Sequence, residues 1–153
     1  MREIDRIRDQ LRRSIEGPAW HGPSLMEVLE GLDCEGANER PIPKAHSVAE
    51  LVPHIVTWMD VVRHRLRGDW APVSDSKDFP RPATTVVEWS AAITRLRAAA
   101  EALDRALAEA PDSALEQNDP EGGFPLLLHL DGVVQHNLYH AGQIAMLRKG
   151  ITP

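Results

Sequence analysis

Two histidines, His136 and His140, stand four residues apart near the end of the chain, and a third, His54, lies far upstream among apolar residues. On a helix, at ~100° per residue, a four-residue step sets two side chains about 40° apart and about 6 Å along the axis. Both imidazoles can then reach one ion. The pair alone is a weak signal, because such spacings arise on many helices that bind nothing. Its weight comes from the stripe it occupies: Val133, His136, His140, Gln143 and Leu147 follow one another along a single helical face. A buried neutral imidazole needs a partner on each nitrogen, or a metal in place of one, since an unsatisfied buried polar group costs about 1–3 kcal/mol. The same argument covers His54, which falls between Leu51 and Trp58 on the inward stripe of an earlier helix. Three inward imidazoles from two helices are the protein ligand set of a catalytic zinc-type site, with positions left for water or substrate. The competing reading is that no ion binds and the three rings satisfy one another through hydrogen bonds.

The remaining chemistry-bearing residues have plainer readings. His46 directly precedes a helix cap and His64 points about 80° away from His54, so both are expected in solvent. His129 lies two turns before His136 on the same face and either lines the mouth of the pocket or packs there. His21, within Ala19-Trp20-His21-Gly22-Pro23, sits in a rigid turn that could reach over the end of the helices. His21 and Gln143 are the candidates for orienting a substrate. Cys34 is the only cysteine, which excludes an intramolecular disulfide and a thiolate cluster; it is read as an unactivated loop thiol. There is no glycine-rich phosphate loop, nucleophile elbow or dinucleotide fingerprint.

The elements that must position these groups are helical. Ile4, Ile7, Leu11 and Ile15 recur at helical spacing, and Gly17-Pro18 ends that segment. Ser24 and Glu27 form a capping box for a short helix reaching toward Leu32, after which 35–44 is polar, holds two prolines and reads as loop. Ser47-Val48-Ala49-Glu50 is a second capping box. It opens the helix whose inward stripe is Leu51, His54, Trp58, Val61 or Val62, and Arg65, with Pro53 predicting a kink or a later start. Residues 68–82 suggest a long surface connection. Thr85-Val86-Val87-Glu88 caps a helix carrying Trp89, Ile93, Leu96, Ala100, Leu103 and Leu107, the clearest periodicity in the chain. Residues 111–123 read as loop, and Pro125 suits the start of a last helix running to about Lys149, where Gly150 can end it. No stretch alternates over strand length. The expected fold is therefore all-α, a four-helix bundle with the metal site between the second and last helices, forming a single domain over 1–153.

Composition narrows the function. With 153 residues, 42% hydrophobic and 26% charged, the chain is of ordinary globular make-up. A net charge of -6 offers no basic excess for gripping phosphates, so nucleic acid is not an expected partner. No apolar run reaches signal-peptide length at the start or the ~20 residues of a membrane span anywhere, so neither export nor membrane insertion is expected. Together with the lone cysteine, this makes a reducing cytoplasm the expected compartment.

At this point the residues carry a likeness. Val134-Gln135-His136-Asn137-Leu138-Tyr139-His140-Ala141-Gly142-Gln143-Ile144 resembles the signature of the DinB family, the DinB/YfiT-like four-helix metal proteins. Gly17-Pro18-Ala19-Trp20-His21-Gly22-Pro23-Ser24-Leu25 resembles an early segment of one subgroup, and the stretch from Ala45 to Trp58 resembles the family's second helix. The resemblance implies one ligand histidine on the second helix and an H-x-x-x-H pair on the last, which map onto His54, His136 and His140. Pro53 departs from the apolar residue usual before the first ligand. Relatives of this kind include transferases that join bacterial low-molecular-weight thiols to electrophiles, and a thiol-dependent isomerase; homodimers are common.

The expectation that follows is a metal-dependent enzyme of the thiol S-transferase type. It would act on a small electrophilic substrate, with zinc or nickel as the ion and a low-molecular-weight thiol as co-substrate. Histidine ligands by themselves suit iron or copper as well. A metal-dependent hydrolase is the close variant. A non-catalytic metal-binding stress-response protein is the rival, and a fourth protein ligand would favour it.

Overall fold

The computed structural model describes residues 2–151, and these are helical apart from loops and two isolated bridges. In chain order the helices are α1 (Glu3–Glu16), α2 (Leu25–Leu29), α3 (Cys34–Asn38), α4 (Val48–Arg65), α5 (Asp75–Asp78), α6 (Val86–Glu109) and α7 (Leu126–Arg148), with a 3-10 turn over Asp112–Glu116. None of them is long and apolar enough to cross a membrane.

Helix α1 buries Ile4, Ile7, Leu11 and Ile15, the four residues of its apolar stripe. It stops at Gly17, which turns at φ +83°, and a side chain there would also press on the Glu27 carboxylate, 3.0 Å from the position of its Cβ. That carboxylate accepts the Ser24 N–H at 2.7 Å and starts α2. Helix α4 begins where its capping box puts it, with the Ser47 N–H donating to Glu50 at 2.8 Å. It runs through Pro53 to Arg65, so the later start is not found. The reason is burial: Val48, Leu51, Val52, Ile55, Val56 and Met59 are all in the core. At about 1.5–3 kcal/mol for each large side chain, their burial exceeds the ~3 kcal/mol that an interior proline costs.

Three segments read as loop contain short helices. Asp33 accepts the Gly36 N–H at 2.8 Å and opens α3, which places Cys34 buried inside a helix rather than in a loop. The 68–82 connection holds α5, and 111–123 holds the 3-10 turn. Each is about one turn long, too short for a period of 3.6 to register in the sequence.

The four long helices surround one apolar core. Both α1 and α4 pack on α6 and on α7. Helices α4 and α7 run antiparallel, since His54 near the start of α4 meets His136, while Arg65 at its end meets His129. The α6 stripe is buried at Trp89, Leu96, Ala100, Leu103 and Leu107, with Ile93 half-buried.

The start of α6 gives a first testable result. Glu88 accepts the Thr84 N–H at 2.8 Å, the Thr84 hydroxyl at 3.0 Å and the Thr85 N–H at 3.2 Å, and it pairs with Arg81. The Thr84 backbone contact, then Arg81, hold its carboxyl down at about 2, against 4.5 ordinarily. A depressed acid stabilises the fold above its unfolded value and loses that contribution as pH falls through its folded one. Glu88→Gln is therefore expected to lower Tm at pH 7, with the gap to the parent closing between pH 4.5 and about 2. A gap independent of pH would show that the charge of Glu88 is not what stabilises the helix start.

Candidate metal centre

The face argument places His54 on α4 and His136 and His140 on α7, and the structure brings the three together. His136 Nε2 lies 3.0 Å from His54 Nε2 and 3.0 Å from His140 Nε2. One nitrogen from each ring falls within 4.8 Å of the others, and among the described residues no fourth His, Cys, Asp or Glu joins them. His54 and His140 are each only 6% exposed. The 3.0 Å separations suit nitrogens that share an ion at about 2.0–2.1 Å.

The outer nitrogens fix the tautomers. His54 Nδ1 lies 2.9 Å from the Asp78 carbonyl oxygen and 3.0 Å from Asp78 Oδ1, both acceptors, so it carries the proton. His140 Nδ1 lies 2.6 Å from Gln143 Oε1 and donates to it. In the neutral rings Nε2 is then a bare lone pair in both cases. His136 Nε2 sits between them, and its Nδ1 is buried with no protein partner. A single proton on His136 cannot serve two lone pairs fully, whereas a cation at that point serves all three. The residues present fit a divalent ion.

Electrostatics agree. Burial first, and then the neighbouring rings of His140 and His54, push His136 down to about 4. Burial likewise lowers His140, against the opposing pull of its Gln143 hydrogen bond. At neutral pH both are uncharged, the form in which imidazole binds metal.

Several contacts around the triad were not legible in the sequence. Phe79 stacks on His54 at 4.1 Å between ring centroids and, through its other face, on His46 at the same distance. Asp78 and Phe79 come from the connection between α4 and α6, where neither periodicity nor motif marked them. The acidic turn of α5 behind Ser74 was the only local hint.

Of the other candidates, Gln143 alone touches the triad. Gln143 is engaged with His140, one turn back on its own helix. His21 is exposed and lines a separate cavity with Arg13, Ser14, Trp20 and Leu138. His129 accepts the Arg65 guanidinium at 2.8 Å and meets the edge of Trp70, in a cluster distinct from the triad. Burial, then the Arg65 charge, lower its pKa. His64 is exposed and pairs with Asp69, while His46 is half exposed.

Three imidazoles, two from one long helix and one from its antiparallel neighbour, define a helical protein able to hold a metal ion. Comparison with known proteins agrees in kind: the family model of the DinB superfamily matches residues 20–144, a span that contains all three histidines. The chain belongs to the DinB superfamily. A crystal structure of a conserved protein from Enterococcus faecalis is similar over 99% of this chain and 98% of its own, with a TM-score of 0.76 at 17% identity. A likeness at that identity concerns the fold. The curated proteins gave no match.

Proposed function

We propose that this DinB-superfamily chain is a four-helix bundle that holds a divalent ion through His54, His136 and His140 and acts as a thiol S-transferase on a small electrophile. The observation that carries the reading is the pair of outer hydrogen bonds, Asp78 to His54 and Gln143 to His140, which turn two Nε2 lone pairs toward His136 Nε2. Three neutral ligands leave the double charge of an ion uncompensated, and such an ion supplies a thiol or a water deprotonated at neutral pH. A structural zinc site normally closes four protein ligands. The triad has three, which favours the enzyme over the non-catalytic alternative.

A groove of about 550 Å³ beside the triad is of substrate size and is lined by Ile42, His46, Leu51, Tyr139, Gln143 and Met146, among others. Gln143 joins it to His140. Its largely apolar walls suit the carbon skeleton of an electrophile. A hydrolase would use the same ligands with water as nucleophile. Zinc or nickel is the ion in this reading, since imidazole nitrogen suits both.

The test uses tag-free protein reloaded with zinc or nickel, bacillithiol or mycothiol, and a chloro-dinitro aromatic. The thiol sulfur bonds to the ring carbon, chloride leaves, and the thiol proton passes to buffer. Consumption of thiol is expected to depend on metal and to fall to the uncatalysed rate in His140→Ala. Equal rates for parent and variant would refute the transferase reading.

A further inference from the structure

We infer that Asp78 is a positioning residue for the metal centre: through its backbone carbonyl and its carboxylate, the short helix α5 sets the tautomer and the aim of His54 and strengthens its grip on the ion. This rests on the metal-binding reading above and adds a residue outside the three ligands.

Two acceptors of one residue converge on a single ring nitrogen. The Asp78 carbonyl oxygen lies 2.9 Å from His54 Nδ1, and its Oδ1 lies 3.0 Å from the same atom. Either contact alone would fix the proton on Nδ1 and leave Nε2 free toward His136. The carboxylate places negative charge on the far side of the ring, the arrangement by which an outer carboxylate strengthens a histidine's hold on an ion.

Asp78 is itself held in place. Trp58 Nε1, one turn along α4 from His54, donates to the same Oδ1 at 2.8 Å. The Thr57 hydroxyl donates to the Lys77 carbonyl at 2.9 Å. Phe79 lies against the His54 ring with its plane tilted by only 9°. Residues 77–79 thus clasp three residues of one α4 face, and the clasp leaves His54 a single orientation. The carboxylate is one-third exposed, and the structure gives it two donors, Trp58 and His54. Nothing about the fold of α4 requires an acid here, since the backbone carbonyl would suffice to anchor the loop.

The experiment compares metal-free parent, Asp78→Ala and Asp78→Asn, each titrated with zinc against a competing chelator and with cobalt(II) for its visible spectrum. Far-ultraviolet circular dichroism and Tm of the metal-free proteins check the fold. Losing an outer partner of a ligand weakens metal binding about 10–100-fold. Asp78→Ala is therefore expected to raise the zinc Kd at least about tenfold and to shift the cobalt bands. Asp78→Asn, which keeps an acceptor for Trp58 and His54 but not the charge, is expected to fall between. If Asp78→Ala fails to fold, Asp78→Asn decides alone. Parent-like Kd and spectra in folded variants, with or without a lower Tm, overturn the assignment while leaving the metal site standing. A parent that takes up no metal overturns both.

Discussion

Alanine in place of His136 is expected to abolish stoichiometric metal uptake while leaving the fold nearly as stable as before. His136 Nε2 is the atom both other ligands approach at 3.0 Å, so its removal leaves two imidazoles that no longer share a third donor. Loss of a mere outer partner costs about 10–100-fold in affinity, and loss of a ligand should exceed about 100-fold. Stability responds differently. The ring carries a buried Nδ1 without a protein partner, and deleting it removes a penalty of about 1–3 kcal/mol that offsets the lost packing. His54→Ala provides the contrast. It strips Phe79 of one stacked face and leaves both Asp78 acceptors without their ring donor, so metal binding and Tm should fall together. Elemental analysis of tag-free protein and thermal melts of the metal-free variants separate the two outcomes. Retention of one equivalent of metal by His136→Ala would remove it from the ligand set.

What could be read from residues alone follows the range of the interaction concerned. The α6 stripe and the α7 stripe are local patterns, fixed by a period of 3.6 residues, and both are legible in the sequence. So were the capping boxes at Ser24, Ser47 and Thr85, because each spans only four residues. His54, His136 and His140 were legible for the same reason: each sits on an apolar face that has to turn inward. The later start that Pro53 allowed is absent, because its local cost is outweighed by the burial of the α4 face around it, a tertiary term. Asp78 was invisible. It is 24 residues from His54 in sequence, in a one-turn helix flanked by prolines at 72, 80 and 82, and only the packed chain brings the two together. His129 was placed correctly on the face shared with His136, yet its partner is the guanidinium of Arg65, so the same stripe carries two chemistries at its two ends.

Acid should unfold the metal-free protein earlier than its carboxylates require, and the size of the effect can be bounded. Burial holds His136 at about 4 in the fold, against 6.5 ordinarily. A group whose folded pKa is depressed contributes stability that is fully present above pH 6.5 and lost as pH falls through about 4, because the unfolded chain takes up the proton first. For a fully buried ring that interval would correspond to about 3 kcal/mol; His136 is partly exposed, and about 1–2 kcal/mol is the better expectation. His140 and His129 are lowered as well and act in the same direction. Glu88 and the other depressed carboxylates act mainly below about pH 5, which leaves the interval from 6.5 to about 5 chiefly to the histidines. In that interval Tm of the metal-free protein should fall, and the slope should be shallower in His136→Ala. Bound zinc at a thousand times its Kd would add about 4 kcal/mol at neutral pH. Protons compete for the His136 lone pair of the folded protein only near its depressed folded value, so this increment should outlast that interval and shrink as pH falls through about 4. A Tm of the metal-free protein that is flat from pH 7 to about 5, or a zinc increment that stays unchanged well below the folded His136 value of about 4, would mean that the three rings do not meet the ion as neutral donors.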